Sequence, residues 1–198
     1  MGIKKNSEVK LKKKSKRSDN DAGGADLFKS LLRADNTFTQ FRNIVKGIKE
    51  KIDIEEIYEE AVRLHSGRRS RNLYGTTPGP EKIIESTLQD SSYRSRMVEI
   101  RVKLVRHRDR LDVAIDATRQ YLALNYPDMV KGLRTKAERG SVFDTYLKSG
   151  VRLHEELKSL ITQLDDFVKD IDQTAYTYKT SVECLELLLS RNNDRIKV

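Results

Sequence analysis

The chain has 198 residues, 35% of them charged and 37% apolar, with a formal charge of +9, three prolines and no tryptophan. That balance is lean for a large compact core and poor in turn formers, which argues against a β-sandwich or a doubly wound sheet and for long, solvent-rich helices. The positive charge makes nucleic acid or another acidic partner the first to consider, and the single cysteine, Cys184, leaves no internal disulfide and suits a reducing compartment.

Residues 1–25 hold eight lysines or arginines, few apolar side chains and a closing Gly23-Gly24 pair. Such a segment cannot build a core, so a disordered basic tail is expected, either simply solvated or an arm for nucleic acid. It has no apolar stretch after its lysines and is not a secretory signal. From Asp26 to Leu64 apolar residues recur at helical spacing, and Asp53 with Glu56 three residues on predicts an N-cap and a short helix carrying Ile54, Ile57, Tyr58, Ala61 and Val62. The run HSGRRSRNLYGTTPGP, residues 65–80, is too rich in Gly, Pro and Ser for a helix. It carries Arg68, Arg69 and Arg71 with Tyr74 beyond them. Cations for phosphate beside a ring for stacking are what a single-stranded site uses, although basic loops also serve solubility alone.

Pro80 suits a first helical turn and predicts a short helix with Ile83, Ile84 and Leu88. After it, Met97, Ile100, Leu104, His107, Leu111, Ala114, Thr118 and Tyr121 form one heptad seam. Arg94, Arg101 and Arg108 repeat every seven residues along one edge of that seam, Arg96, Lys103 and Arg110 along the other, with Arg106 near them. Edges so uniformly basic repel a partner helix unless phosphates or a neighbour's acids neutralise them. His107 reads as a packed seam residue. Tyr126-Pro127 ends this helix, and Lys131, Arg134, Lys136 and Arg139 make a third basic cluster before Ser141, which with Asp144 suggests a cap.

From Phe143 to Leu189 apolar residues alternate spacings of four and three without a slip, predicting a single helix over 142–190, about 73 Å long at ~1.5 Å per residue. Gly150 marks a kink or boundary within it. A second apolar row beside the seam widens the stripe, which then needs several neighbours. Leu157, Ile161, Leu164, Val168, Ile171, Tyr178, Val182 and Leu185 are the expected oligomerisation residues. Residues 152–191 carry five bases and eight acids, so charge is segregated: the last helix assembles and the earlier segments bind.

The expectation is an all-α, elongated helical bundle with a long C-terminal heptad helix, assembled as a coiled-coil-like homo-oligomer. It divides into the tail 1–25, an N-terminal helical segment 26–90 containing the loop 65–80, and a core 91–198 for nucleic-acid binding and oligomerisation. No glycine-rich phosphate loop, HExxH or paired cysteine is present, and the histidines lie far apart in sequence, so neither catalysis nor a metal or other cofactor is expected. No stretch is apolar enough to cross a bilayer.

The run SSYRSRMVEIRVKL from Ser91, and KGLRTKAERGSVFDTYLKSGVRLHEELKSLITQLDDFVKDID, resemble the UvsY family of phage recombination mediators. The resemblance covers residues 78–191: a basic helix, a basic connection, the Val142–Thr145 turn and a long last helix. It implies a ring-like homo-oligomer that binds single-stranded DNA and helps load a recombinase onto DNA covered by single-strand-binding protein, in the cytoplasm of a host cell if phage-encoded. RLHSGRRSRNLYG, from Arg63 to Gly75, is similar in composition to the family's DNA-contacting turn but precedes the basic helix, out of the family's order. The other reading of the residues is a non-enzymatic coiled-coil scaffold whose basic segments meet an acidic protein.

Overall fold

Two aspartates start the N-terminal helices. Asp35 accepts a hydrogen bond from the Phe38 amide at 3.1 Å and caps α1, Asn36–Lys49. Asp53 accepts from the Glu55 and Glu56 amides at 3.0 and 3.1 Å and caps α2, Ile54–Ser66, as its sequence predicts. The computed structural model describes residues 28, 30–70 and 79–196, the side chains of 188, 189 and 191–196 excepted; the tail 1–25, Arg71 and Tyr74 lie outside the described residues. Residues 30–34 form a helical turn ahead of α1.

Pro80 opens α3, which runs from Pro80 to Asn125 without interruption. The short helix expected after Pro80 is therefore the first part of one 46-residue helix, and the boundary expected at 90/91 falls inside it. Ser91 and Ser92 do not break it, because Ser86 and Asp90 are buried on the same side as Met97 and Ile100 and the packed face is continuous. Tyr126 ends α3 ahead of Pro127, a 3₁₀ turn follows over Pro127–Val130, and Gly132 at φ +89° supplies the left-handed conformation that reverses the chain.

The next cap is Thr135, not Ser141. Its hydroxyl accepts from the Glu138 amide at 3.1 Å while the Glu138 carboxylate accepts from the amides of Arg134 and Thr135 at 3.0 and 3.1 Å, a capping box that starts α4, Lys136–Tyr146. The predicted single helix over 142–190 is accordingly split. It pauses at Leu147, a buried side chain whose amide closes α4 onto the Phe143 carbonyl, and resumes as α5, Lys148–Ile196.

Helices α3 and α5 lie antiparallel: Asp112 faces His154, Arg101 faces Asp165 and Arg94 faces Asp172, the second number rising as the first falls. Their seams mesh. Met97, Ile100, Leu104, Leu111, Ile115 and Leu122 of α3 share a core with Leu153, Leu157, Leu160, Ile161, Leu164 and Ile171 of α5. Helix α1 closes one side with Phe41, Val45 and Ile48, and α2 closes part of the other with Ala61. The widened stripe of α5 thus finds its several neighbours within one chain. Each fully buried Leu or Ile contributes roughly 1.5–3 kcal/mol, so this seam is the main source of stability. The protein is all-α, with no strand among the described residues, and no described helix is long and apolar enough to cross a membrane.

Beyond Ile171 the cover thins. Val182, Leu185 and Leu187 of α5 are exposed, as are Ile84 and Leu88 of α3 and the thiol of Cys184.

Gly150 is buried in the first turns of α5 because α1 needs its bare backbone. A Cβ there would stand 2.5 Å from the Phe41 ring and 3.3 Å from a Val45 methyl. Elsewhere in a helix Gly→Ala gains up to ~1 kcal/mol. Here overpacking costs about 1–3 kcal/mol and dominates, so Gly150→Ala is expected to lower stability in urea denaturation, whereas Gly47→Ala, whose Cβ would meet nothing within 4 Å, should raise it.

Candidate nucleic-acid interface

The three basic clusters have different fates. In the first, Arg68 is not a phosphate contact: its side chain is fully buried. The guanidinium donates to both Asp90 oxygens at 3.1 and 3.2 Å, to Asp170 at 2.6 Å and to the Thr174 hydroxyl at 2.8 Å. His65 reaches the same Asp170 oxygen at 2.9 Å and stacks on Phe167 with ring centroids 4.2 Å apart. The planar fork of an arginine suits this site because each of its nitrogens has an oxygen to meet. Arg69 is exposed and pairs with Glu85 at 3.1 Å.

In the second cluster the charge on α3 is sorted by edge. Arg94 forms two hydrogen bonds to Asp172 at 2.6 and 3.2 Å, and Arg101 grips Asp165 in the same two-pronged way. The acidic flank of α5 therefore meets this row, the alternative to phosphate that the sequence left open. Arg108, at the end of the row, turns to its neighbour Asp109 at 2.6 Å. On the other edge Arg96 pairs with Glu60 of α2 at 2.8 Å and more loosely with Glu99. Hydrogen bonding to their carboxylates, and the charge of those carboxylates, hold Arg94 and Arg96 above the ordinary arginine value.

Lys103, Arg106 and Arg110 differ from these. All three are exposed, and no carboxylate of the described residues lies within ion-pair distance of any of them. Spaced by three and four, they share one face of α3. The antiparallel packing of α1 on α3, fixed at its far end by hydrogen bonds from Tyr121 and Tyr126 to Asp35 at 2.7 and 2.9 Å, brings the turn after α1 to His107. Lys51 of that turn joins the group. Burial, then the charges of Lys51 and Arg110, push the half-buried His107 below its ordinary value, a sign of local positive potential. The sequence singled out Lys103, Arg106 and Arg110 but not Lys51, which lies more than fifty residues away and is brought in only by tertiary packing.

The third cluster surrounds α4. Lys131 pairs weakly with Asp128 at 3.8 Å, both exposed; Arg139 donates twice to the Leu133 carbonyl at 3.2 Å; Arg134 and Lys136 are exposed without a carboxylate partner among the described residues. Between α4 and the last turns of α3 runs a groove of about 760 Å³, with an apolar lining of Ala123, Ala137 and Phe143.

Of the expected oligomerisation residues, Leu157, Ile161, Leu164 and Ile171 are consumed by the core of one chain, Val168 is half-buried, and the Tyr178 hydroxyl donates to the Ser70 carbonyl at 2.9 Å. Val182 and Leu185 remain exposed. Comparison of the chain with known families, with characterised proteins and with solved structures gives no significant match.

The buried pair sets a stability prediction. Arg68→Ala strands the 4%-exposed Asp90 side chain and is expected to cost about 3–5 kcal/mol in urea denaturation, while Arg68→Met combined with Asp90→Leu should recover much of it. Burial raises the Asp170 carboxyl, but the hydrogen bond from His65 and the Arg68 guanidinium outweigh it and hold it below the ordinary aspartate value. Its contribution is thus complete above the ordinary aspartate range and is lost as pH falls through the lowered native value. Asp170→Asn should flatten stability against pH in that acidic window and leave the neutral-to-alkaline profile unchanged in shape.

Proposed function

We propose that the protein binds single-stranded DNA through its phosphates and acts by binding, not catalysis. The observation that carries this reading is the exposed group Lys51, Lys103, Arg106 and Arg110. Intramolecular pairing neutralises Arg94, Arg96 and Arg101, yet it leaves these four exposed, with Lys51 and Arg110 close enough to His107 to add to the effect of burial in opposing its ionisation. Unneutralised cations on one rigid helix face suit a polyanion of regular charge spacing, and contacts to phosphate position a strand without reading its sequence.

The resemblance to the UvsY family supplies the finer part of the proposal. The protein acts as a homo-oligomeric recombination mediator that helps load a recombinase onto DNA covered by single-strand-binding protein. Self-association falls to the distal part of α5, where Val182 and Leu185 continue the buried row but are exposed. The same exposed residues favour the second reading, a coiled-coil scaffold whose basic face meets an acidic protein.

A triple variant, Lys103→Gln, Arg106→Gln and Arg110→Gln, separates the two. Affinity for single-stranded oligonucleotides should fall alike for all sequences, and the slope of log K against log salt should flatten by about 0.7 per lost contact, about 2 in all. The melting temperature should hold, since none of the three pairs with a carboxylate among the described residues. The control, Arg94→Gln with Arg101→Gln, should instead lower the melting temperature and leave the salt slope alone. An unaltered slope in the triple variant, or no oligonucleotide binding by the unmodified chain, sinks the DNA reading and leaves the scaffold.

A further inference from the structure

The groove between α3 and α4 has a composition that the phosphate patch lacks. Its apolar lining is made by the exposed Ala123 and Ala137 and the buried Phe143. One wall is a closed ion-pair cluster: Arg119 donates to Asp116 at 3.0 Å and to Asp144 at 2.7 and 2.9 Å. Gln120 and Ser141 line the groove, and neither side-chain amide nor hydroxyl has a hydrogen-bond partner among the described residues. Lys136 and Arg139 stand on the α4 side.

The groove is also in line with the patch. Arg106, Val113 and Gln120 are seven residues apart and so lie on one stripe of α3, about 10.5 Å per step. Val113, between them, is 70% exposed, and Val102 and Leu124 are exposed on the same side of α3. A strand laid along this stripe with its phosphates on Arg106 and Arg110 reaches the groove within roughly 21 Å.

What can enter is decided by the wall. Arg119 pairs with both Asp116 and Asp144, and Lys136 and Arg139 leave the groove net positive, so a polyanionic strand can approach it; the remaining lone pairs of the two carboxylates, with the amide of Gln120 and the hydroxyl of Ser141, match the donors and acceptors on a base edge. The apolar lining takes the flat face of a ring. A duplex offers no base face to that lining, because its bases are stacked within and their edges open only into its own grooves. We infer that the α3–α4 groove receives unpaired bases of a single strand whose phosphates lie on Lys103, Arg106 and Arg110, and that it is the element that distinguishes single strands from duplex. The inference rests on the phosphate-binding reading above.

The test uses the full chain with two probes of equal length, an oligodeoxyadenylate and an abasic deoxyribose-phosphate strand. The unmodified protein should bind the base-bearing strand on the order of tenfold more tightly, the scale of a stacked base. A variant that fills the groove, Gly140→Leu, has room for its side chain, since a Cβ at Gly140 meets nothing within 4 Å. It should lose that preference while keeping its affinity for the abasic strand and its melting temperature. Ala137→Leu, at a second position in the lining, should do the same. Equal binding of the two strands by the unmodified protein overturns the inference, and so does a preference that survives in both filled variants. Binding of neither strand overturns the phosphate reading together with it. If the triple Gln variant loses the abasic strand and the filled variants lose only the preference, both readings stand, each on its own contact.

Discussion

The guanidinium of Arg68 sits where water cannot reach it, and that charge obliges three helices to meet around it. A buried cation is tolerated only when every donor is matched and a carboxylate lies close. Asp90 from α3, Asp170 and Thr174 from α5, and His65 from the end of α2 satisfy that demand together. The end of α2 is thereby held against both long helices at the level where the apolar cover begins to thin. Breaking the cluster would expose more than an ion pair: Ala61 and the His65–Phe167 stack depend on the same approach of α2 to α5.

Charge in this protein does two kinds of work, and the packing separates them. Where α3 faces α5 or α2, its arginines meet Asp172, Asp165 and Glu60 and seal the edges of the seam; such exposed or half-exposed pairs contribute little individually, up to about 1 kcal/mol each, but they leave no repulsion between neighbouring helices. Where α3 faces outward past the turn after α1, Lys103, Arg106 and Arg110 have no carboxylate within ion-pair distance among the described residues. The fold gathers this surplus by geometry.

The helical class, the cap at Asp53, the first-turn position of Pro80 and the stop before Pro127 were all readable from residues close together in sequence. So was the burial of Leu157, Ile161 and Leu164, because seam spacing reports which face is covered. Spacing does not report which chain supplies the cover, and the partners proved to be α1 and α3 of the same chain. The sequence around Arg68 misleads for a related reason. In sequence it stands between Gly67 and Arg69 and looks like loop charge, whereas its partners are 22, 102 and 106 residues away. The break at Leu147 was hidden by the apolar pattern, which runs through it unchanged; only the capping box at Thr135 and Glu138 marks the short helix that precedes it.

The meshing of α3 with α5 repeats every seven residues, and so does much of the charge on its edges. If α5 slid by one heptad, about 10.5 Å, Arg101 would come opposite Asp172 and Arg108 opposite Asp165, while Arg94 would come opposite Lys179 and the buried Thr118 would move to the level of Leu157. Arg101 and Arg108 alone cannot tell the two alignments apart. The contacts that can are singular: Gly150 beneath the Phe41 ring, and Arg68 with its aspartates. These two points act as a vernier on a partly repeating scale. Losing both would leave the register to the seam and its edge pairs, and a helix slipped by one heptad would carry the wrong length of α5 beyond the end of α3.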